Sequence, residues 1–263
     1  FPGYVCSALR HAVSMANGVE NTVDVEPNSP NLNMNTIKQN LPYISIIPHM
    51  YGIPIPIEVD DTLVIEDCCQ ALGAKVKNKM VGLQGDVGIF SFYVTKLMTS
   101  GGQGGMFVSK NQKYVDAVRD FREYDFRNDS EKRFNFKMTD LQAAIGRVQL
   151  KKLPSFLKRR EEIFQYYKKS GLDLLDVDDE LRGILEPVRY RAILKTKNPR
   201  KLVNSLESVG VKSIIPTEDW ELLGQWEFLP NALKFSHETI SIPIYPSLTK
   251  EHLDIILSGL VTK

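Results

Sequence analysis

The sequence has few cysteines, no excess of either charge and no long apolar run, and each shortage excludes a class of protein. Its 263 residues include three cysteines, of which Cys68 and Cys69 are adjacent. An odd number with an adjacent pair is a poor basis for a disulfide framework, and no second group of ligands accompanies the pair to form a zinc site. We therefore expect a protein of the reducing cytoplasm that holds no metal.

The charges are almost balanced, with 33 basic against 32 acidic residues and a net charge of +1. No global field draws such a protein to nucleic acid or to an anionic membrane. The basic run Lys158-Arg159-Arg160 lies in a helical pattern and is interpreted as a solvated helix face. Because no apolar run is long enough to span a bilayer either, we predict neither a nucleic-acid partner nor a membrane partner.

The hydrophobic content of 43% is enough for a sizeable core, as one large domain or as a large and a small one. In the first half, short apolar runs alternate with helical stretches, which favours an α/β sheet with helices on its faces. A helix-compatible spacing covers Cys6–Met15. The predicted strands of this half are Asn21–Val25, Tyr43–Pro48, Thr62–Ile65, Val87–Phe92 and Gly105–Ser109.

The second half has a different pattern. Thr139 begins a helix that Pro154 is expected to end, and Ser155–Tyr167 forms another. Beyond them the predicted elements are the strands Val188–Lys195, Lys212–Ile215 and Thr239–Ile244 and the helices Pro199–Val209 and Thr249–Leu260. This order predicts a small α+β domain, so we divide the chain into a large domain over 1–160 and a small one over 161–263.

Two reactive side chains follow buried strands of the first half. Asp67 ends the run that begins at Thr62, and Lys96 follows the aromatic run that begins at Val87. Ligands of open α/β sheets bind at the carboxyl ends of the strands. A lysine there can hold an aldehyde cofactor covalently, and an aspartate can keep a pyridine nitrogen protonated. A lysine and an aspartate in this arrangement are the residues that a protein contributes to pyridoxal phosphate chemistry.

Each candidate also has an ordinary structural explanation. Asp67 can cap a helix over Cys68–Leu72, and Lys96 can be a surface residue at a strand end. Gln70, one helical turn after Asp67, can face the same site or the solvent. Ser91, inside an aromatic strand, needs a partner for its hydroxyl, which a phosphate oxygen or a backbone carbonyl would supply.

Several segments together resemble the DegT/StrS-type sugar aminotransferases. They follow the order of that family over essentially the whole chain. The segments are Pro2–Ala8, Ile65–Ala74, Gly85–Lys96, Gly104–Val108, Phe134–Gly146 and Ser241–Thr249. The resemblance implies a fold-type-I aminotransferase-like large domain, with a mostly parallel sheet and flanking helices, plus the smaller C-terminal α+β domain.

By the same resemblance, Lys96 would bind pyridoxal 5′-phosphate and shuttle the proton, while Asp67 would pair with the pyridine nitrogen. Gln70 would contact the 3-hydroxyl side of the ring and Ser91 the cofactor phosphate. Asn135 would reach the phosphate site of a neighbouring subunit, which implies a homodimer with shared sites, and Ser7 stands where the family often has a hydroxyl residue near the substrate. The implied reaction moves an amino group from an amino acid, with glutamate as the expected donor, to a keto group on a nucleotide-linked deoxysugar.

Two departures from the family pattern weigh against this implied activity. The chain begins at Phe1 without the Gly-Thr or Gly-Ser loop that grips the cofactor phosphate, and the link from Gly52 to Thr62 is too short for the usual helix. We expect either that N-terminal elements are missing from this chain or that the protein is truncated. The alternative function is therefore an inactive relative that acts as a binding or regulatory protein.

Overall fold

A computed structural model describes residues 1–40 and 42–260, so position 41 and the last three positions of the predicted small domain lie outside the described residues. The helices are α1 (Ala8–Met15), α2 (Met34–Asn40), α3 (Gln112–Phe121), α4 (Asp140–Lys169), α5 (Pro199–Ser208), α6 (Pro230–Glu238) and α7 (Lys250–Leu260). The strands are β1 (Ile44–Pro48), β2 (Leu63–Asp67), β3 (Lys75–Val76), β4 (Lys79–Met80), β5 (Val87–Ser91), β6 (Gly105–Ser109), β7 (Leu185–Glu186), β8 (Ala192–Lys195) and β9 (Thr239–Ile242).

The principal sheet has four strands in the order β1-β2-β5-β6. Strands β1, β2 and β5 are parallel, and β6 is antiparallel to β5. These strands are rich in Val and Ile, as expected of strands that are covered on both faces. The predicted α/β architecture with a mostly parallel sheet is confirmed. At its carboxyl edge Asp67 is in register with Pro48 on one side and Ile89 on the other.

The structure corrects two of the strand predictions. Asn21–Val25 is not a strand, because it forms only the isolated bridges of Val23 with Pro2 and of Val25 with Leu32. Lys212–Ile215 likewise forms a single bridge, between Ile214 and Ser241. Both segments are apolar enough to pack against the core, but each pairs only at isolated residues, and the contact of Ile214 with Ser241 of β9 does not continue as a ladder.

The prediction that Pro154 ends a helix is wrong, since α4 runs through it from Asp140 to Lys169. The start was predicted correctly: Thr139 and Gln142 form a reciprocal capping box. Pro154 lies on the exposed side, where the missing N–H leaves a carbonyl that water can satisfy. One helix thus passes through the predicted boundary near residue 160, and the division into two domains stays a prediction.

The C-terminal part is built around the antiparallel pair β8 and β9, against which α5 and α7 pack. Its apolar cluster includes Ile163 and Phe164 of α4, Ile240 and Ile242 of β9 and Ile256 of α7. A separate and larger cluster joins the sheet and its loops to the segment that leads into β8. No helix of the described residues is long and apolar enough to cross a membrane.

Candidate active site

Asp67 ends β2, an interior strand of the principal sheet, and only 8% of its surface is exposed. No helix follows it, so it is not a helix cap. Instead its Oδ1 accepts the backbone N–H of Cys69 at 2.9 Å, which closes a tight turn. In residues 1–40 and 42–260, Oδ2 accepts no hydrogen bond from a main-chain N–H or a cationic side chain. One carboxylate oxygen therefore remains open to a ligand.

Lys96 lies in the loop after β5 and is half-buried. Its backbone N–H donates to the carbonyl of Tyr93 at 2.9 Å, which fixes the turn that carries it. Its Nζ lies 5.4 Å from the centroid of the Tyr190 ring, an arrangement that favours a cation. Within the described part of the chain no carboxylate oxygen comes within 4.0 Å of this ammonium group. Lys96 is therefore not a surface ion-pair residue.

The charges of Asp67 and Lys96 both act on the Cys69 thiol. Burial raises the pKa of its thiol, the Asp67 carboxylate raises that pKa further, and the Lys96 ammonium lowers it. Each charge must be close to the thiol to act on it, because Coulomb interactions weaken quickly with distance. The carboxylate and the amine thus converge on the same region at the carboxyl ends of β2 and β5.

Gln70 and Ser91 lie at the same edge of the sheet. The Gln70 side chain is not simply turned to solvent, since its Oε1 accepts the backbone N–H of Tyr51 at 2.7 Å. Ser91 is two residues beyond Ile89, the partner of Asp67, and alternation therefore places Ser91 and Asp67 on one face of the sheet. The Ser91 Oγ accepts the backbone N–H of Tyr93 at 3.3 Å, which leaves the hydroxyl proton free to donate.

Ser7 and Asn135 are not brought into contact with these four residues. Ser7 is exposed at the start of α1 and forms no side-chain cap, although its neighbour Cys6 is close enough to Cys69 to influence that thiol. Asn135 is exposed in the loop before α4, and the rings of its sequence neighbours Phe134 and Phe136 stack on each other. The proposed role of Asn135 concerns a neighbouring subunit, so it stays a prediction.

The structure adds aromatic residues that the sequence did not single out. Tyr51 has a backbone φ of 57°, which is uncommon for a residue with a Cβ. Its hydroxyl donates to the hydroxyl of Tyr4 at 2.9 Å, and burial raises the pKa of both phenols. The Tyr190 ring lies against the Lys96 ammonium group, and Arg191 is the next residue along the chain. The alternating basic residues of 188–195 were the only sequence signal for this part of the site.

The opposite face of β2 carries a closed network rather than a site. His49, Glu66 and Cys68 present ligand-type atoms within 4.8 Å of one another, an arrangement that can hold a metal ion. The His49 Nδ1 accepts the N–H of Ile55 at 3.2 Å, so its Nε2 carries the proton and donates to Glu66 at 2.9 Å. Because both ring nitrogens are already engaged, we interpret the cluster as structural.

The model of the DegT/DnrJ/EryC1/StrS aminotransferase family matches residues 3–261. The chain belongs to this family. Among the curated relatives of this DegT/DnrJ/EryC1/StrS member, GDP-perosamine synthase of Escherichia coli O157:H7 is 29% identical over 81% of the chain. UDP-4-amino-4,6-dideoxy-N-acetyl-beta-L-altrosamine transaminase of Campylobacter jejuni is 35% identical over 78% of the chain. The match spans 63% of the first relative and 57% of the second.

Solved structures of the DegT/DnrJ/EryC1/StrS family have the same fold. An aminotransferase of that family from Brucella abortus superposes with a TM-score of 0.85 at 20% identity, over 98% of this chain and 77% of the other. DesV from S. venezuelae, solved with a ketimine intermediate, gives 0.85 at 22% identity, over 99% of this chain and 76% of the other. The resemblance stated from the sequence motifs is therefore confirmed.

Proposed function

We propose that this protein is a pyridoxal-phosphate-dependent aminotransferase and that Lys96 is its catalytic residue. The main support is the position of Asp67 at the end of β2 and of Lys96 in the loop that follows β5, the parallel strand paired with β2. A buried carboxylate and an amine free of ion pairs at one sheet edge are what a pyridinium aldehyde requires of a protein. Membership in an aminotransferase family favours this chemistry over simple binding.

The residues present fit the cofactor. The open Oδ2 of Asp67 would accept the pyridine N–H, and the negative charge of the carboxylate would keep that nitrogen protonated. Ser91, on the same face of the sheet, would donate its free hydroxyl proton to the phosphate. Gln70, whose Oε1 accepts the Tyr51 N–H, would offer its amide NH₂ to the 3-hydroxyl of the ring. When bound, the cofactor supplies an electron sink for the Cα–H bond that breaks.

Lys96 has two functions in this site. Its amine would hold the cofactor aldehyde covalently, and as a free amine it would accept and return the proton at the substrate Cα. The Tyr190 ring supports Nζ on one side and excludes water there. A side chain that is half-buried and held by packing keeps the short reach that proton transfer needs.

The substrates are an amino acid, with glutamate as the expected donor, and a keto group on a nucleotide-linked deoxysugar. The names of the relatives support the acceptor class, since one is a GDP-perosamine synthase and another a transaminase of a UDP-linked dideoxy sugar. Free thiols at all three cysteines agree with a cytoplasmic enzyme. The active form is a homodimer in which Asn135 reaches the phosphate site of its partner.

The experiment is incubation with pyridoxal phosphate followed by borohydride reduction and peptide mass spectrometry. We expect a cofactor absorbance band and a covalent adduct on Lys96, both lost in Lys96→Ala. Lys110→Ala is the matched control, because Lys110 is an exposed lysine directly after β6 whose Nζ donates to the Leu83 carbonyl at 3.1 Å. Asp67→Asn should weaken cofactor binding about 10-fold or more, since the opposite charge at the ring nitrogen is lost.

Amino transfer itself is measured as 2-oxoglutarate formed from glutamate with GDP- and UDP-linked keto-deoxysugars. Activity abolished by Lys96→Ala would support the assignment. If the wild type binds no pyridoxal phosphate, or if the adduct forms equally in Lys96→Ala, the enzyme assignment fails and a binding or regulatory protein becomes the better description.

A further inference from the structure

Arg191 is a half-buried cation near Lys96, and no opposite charge among the described residues pairs with it. Its Cζ lies 5.5 Å from the centroid of the Tyr190 ring, the ring that Lys96 Nζ approaches at 5.4 Å. The separation of Lys96 Nζ and Arg191 Cζ therefore cannot exceed the sum of their two distances to the Tyr190 centroid. Across residues 1–40 and 42–260, no carboxylate oxygen lies within 4.0 Å of the Arg191 guanidinium.

The neighbouring arginines show how unusual this is. Arg189 is buried and forms ion pairs with Glu161 at 2.7 Å and Asp176 at 2.6 Å, so these two carboxylates neutralise its charge. Arg160 donates to the carbonyls of residues 189 and 190 at 3.1 and 3.2 Å. Arg189 and Arg160 thus fix the backbone that carries Tyr190 and Arg191, while Arg191 itself is left available.

The partners that Arg191 does have are neutral hydroxyls. Its Nη1 donates to the Ser241 Oγ at 3.1 Å, which orients the guanidinium and leaves its other N–H groups free within the described residues. Its charge also lowers the pKa of the buried phenols Tyr4 and Tyr51, against the larger effect of burial. A guanidinium held among hydroxyls and backed by a ring retains most of its attraction for an anion.

We propose that Arg191 binds the α-carboxylate of the amino-acid donor, with Tyr190 as the platform shared by Arg191 and Lys96. This assignment rests on the proposed function. In an α-amino acid the carboxylate and the amine are attached to one carbon, so the group that binds the carboxylate must lie close to the reacting Lys96 Nζ. A single planar guanidinium next to one hydroxyl matches a carboxylate better than a phosphate, which usually needs several converging donors.

The test measures binding rather than turnover. The protein is loaded with pyridoxal phosphate and titrated calorimetrically with two probes, 2-oxoglutarate for the donor carboxylate and UDP for a nucleotide phosphate. Arg191→Gln should raise the Kd for 2-oxoglutarate about 10- to 100-fold, and Arg191→Lys less, because it keeps the charge but loses the fork of donors. The Kd for UDP should not change.

Lys195→Gln is the matched control, because Lys195 is a cation at the far end of β8, the strand that Arg191 precedes, and its exposed side chain pairs with Asp173 at 3.7 Å. It should leave both Kd values unchanged. A retained cofactor absorbance band shows that each variant is folded around its site. The assignment is overturned if the loaded wild type does not bind 2-oxoglutarate, if Arg191→Gln leaves its Kd unchanged, or if UDP binding falls equally or more.

Failure of the proposed function has a different signature. A wild type that shows no pyridoxal phosphate band would contradict the aminotransferase itself, whereas a normal band with unaltered 2-oxoglutarate binding in Arg191→Gln would contradict only the carboxylate site.

Discussion

Two neighbouring carboxylates on β2 have opposite surroundings, and strand geometry is the reason. Successive side chains of a strand point to opposite faces, so Glu66 and Asp67 cannot share an environment. Glu66 is buried and saturated, since its oxygens receive hydrogen bonds from His49 and from the backbone N–H and side chain of Gln84. Asp67 has one oxygen free. The structural carboxylate therefore holds the strand in place while its neighbour remains available for chemistry.

Glu66 should make the stability of the protein sensitive to acid. Burial raises its pKa, but the hydrogen bonds from His49, Gly82 and Gln84 outweigh that effect, so the folded-state pKa lies below the ordinary value of 4.5. A depressed carboxylate pKa gives stability that is present above pH 4.5 and is lost as the pH falls through the folded-state pKa. Glu66→Gln should lower the free energy of unfolding at pH 7 by about 1–3 kcal/mol. It should also reduce the amount by which this free energy falls as the pH is lowered.

Urea unfolding between pH 7 and pH 3 measures this effect. Glu58→Gln is the control, because Glu58 is exposed and forms only a long ion pair with Lys77 at 3.6 Å. Its curve should overlay that of the wild type. An unaltered acid slope in Glu66→Gln would show that other carboxylates, Asp176 among them, carry the whole pH dependence.

At the scale of elements, the site depends on a close backbone contact between the segment after β1 and the segment before β8. The N–H of Val188 donates to the carbonyl of Gly52 at 3.0 Å. A Cβ on Gly52 would lie 2.1 Å from the Val188 carbonyl oxygen, and its φ is +86°. Only glycine permits this approach, which holds Tyr190 and Arg191 beside the sheet edge.

Gly52→Ala should therefore destabilise the protein by about 3 kcal/mol or more, the joint cost of a left-handed alanine and a steric clash with backbone. Gly210→Ala is the matched control, since Gly210 has a similar φ of +77° and no atom within 4 Å of the added Cβ. Its cost should be only about 1–2 kcal/mol. Equal losses in the two variants, measured by urea unfolding, would mean that the contact with Val188 contributes nothing.

The sequence could predict elements where local chemistry agrees with packing. Strands β1, β2, β5 and β6 were found from their apolar, β-branched runs, and the start of α4 from Thr139. Pro154 misled the prediction because its cost to a helix is small where water replaces the lost donor and both flanks are strongly helical. The helices α2, α3 and α6 were missed, because their apolar faces are short.

Of the candidate site, Asp67 and Lys96 could be located because each follows a strand whose direction the pattern gives. Tyr190 and Arg191 could not be located, because the contact between Gly52 and Val188 brings them to the site. These two residues are about 140 positions apart in the chain, and hydrophobic periodicity gives no information on such a distant contact. The charge of Arg191 was visible in the sequence, but its lack of a carboxylate partner is a property of the fold alone.

At the scale of the whole molecule, the first half of α4 has an apolar face that the described chain leaves largely exposed. Leu141, Ile145 and Val148 follow helical spacing and point to one side, and Leu141 is 79% exposed. An aromatic cluster joins Phe121, the last residue of α3, to Phe134 and Phe136 of the loop that leads into α4. A patch of this kind typically marks a protein interface, and Asn135 lies within it.

We expect the protein to be a dimer whose interface includes this face of α4. Ile145→Glu would bury an unpaired charge there and should weaken the dimer about 30-fold or more. Ile255→Glu on α7 is the matched control, because both isoleucines are 44% exposed on a helix, and it should leave association unchanged. Light scattering over a dilution series gives the mass directly. A monomer at every concentration, or equal weakening by both variants, would exclude this face as the contact and with it a shared site through Asn135.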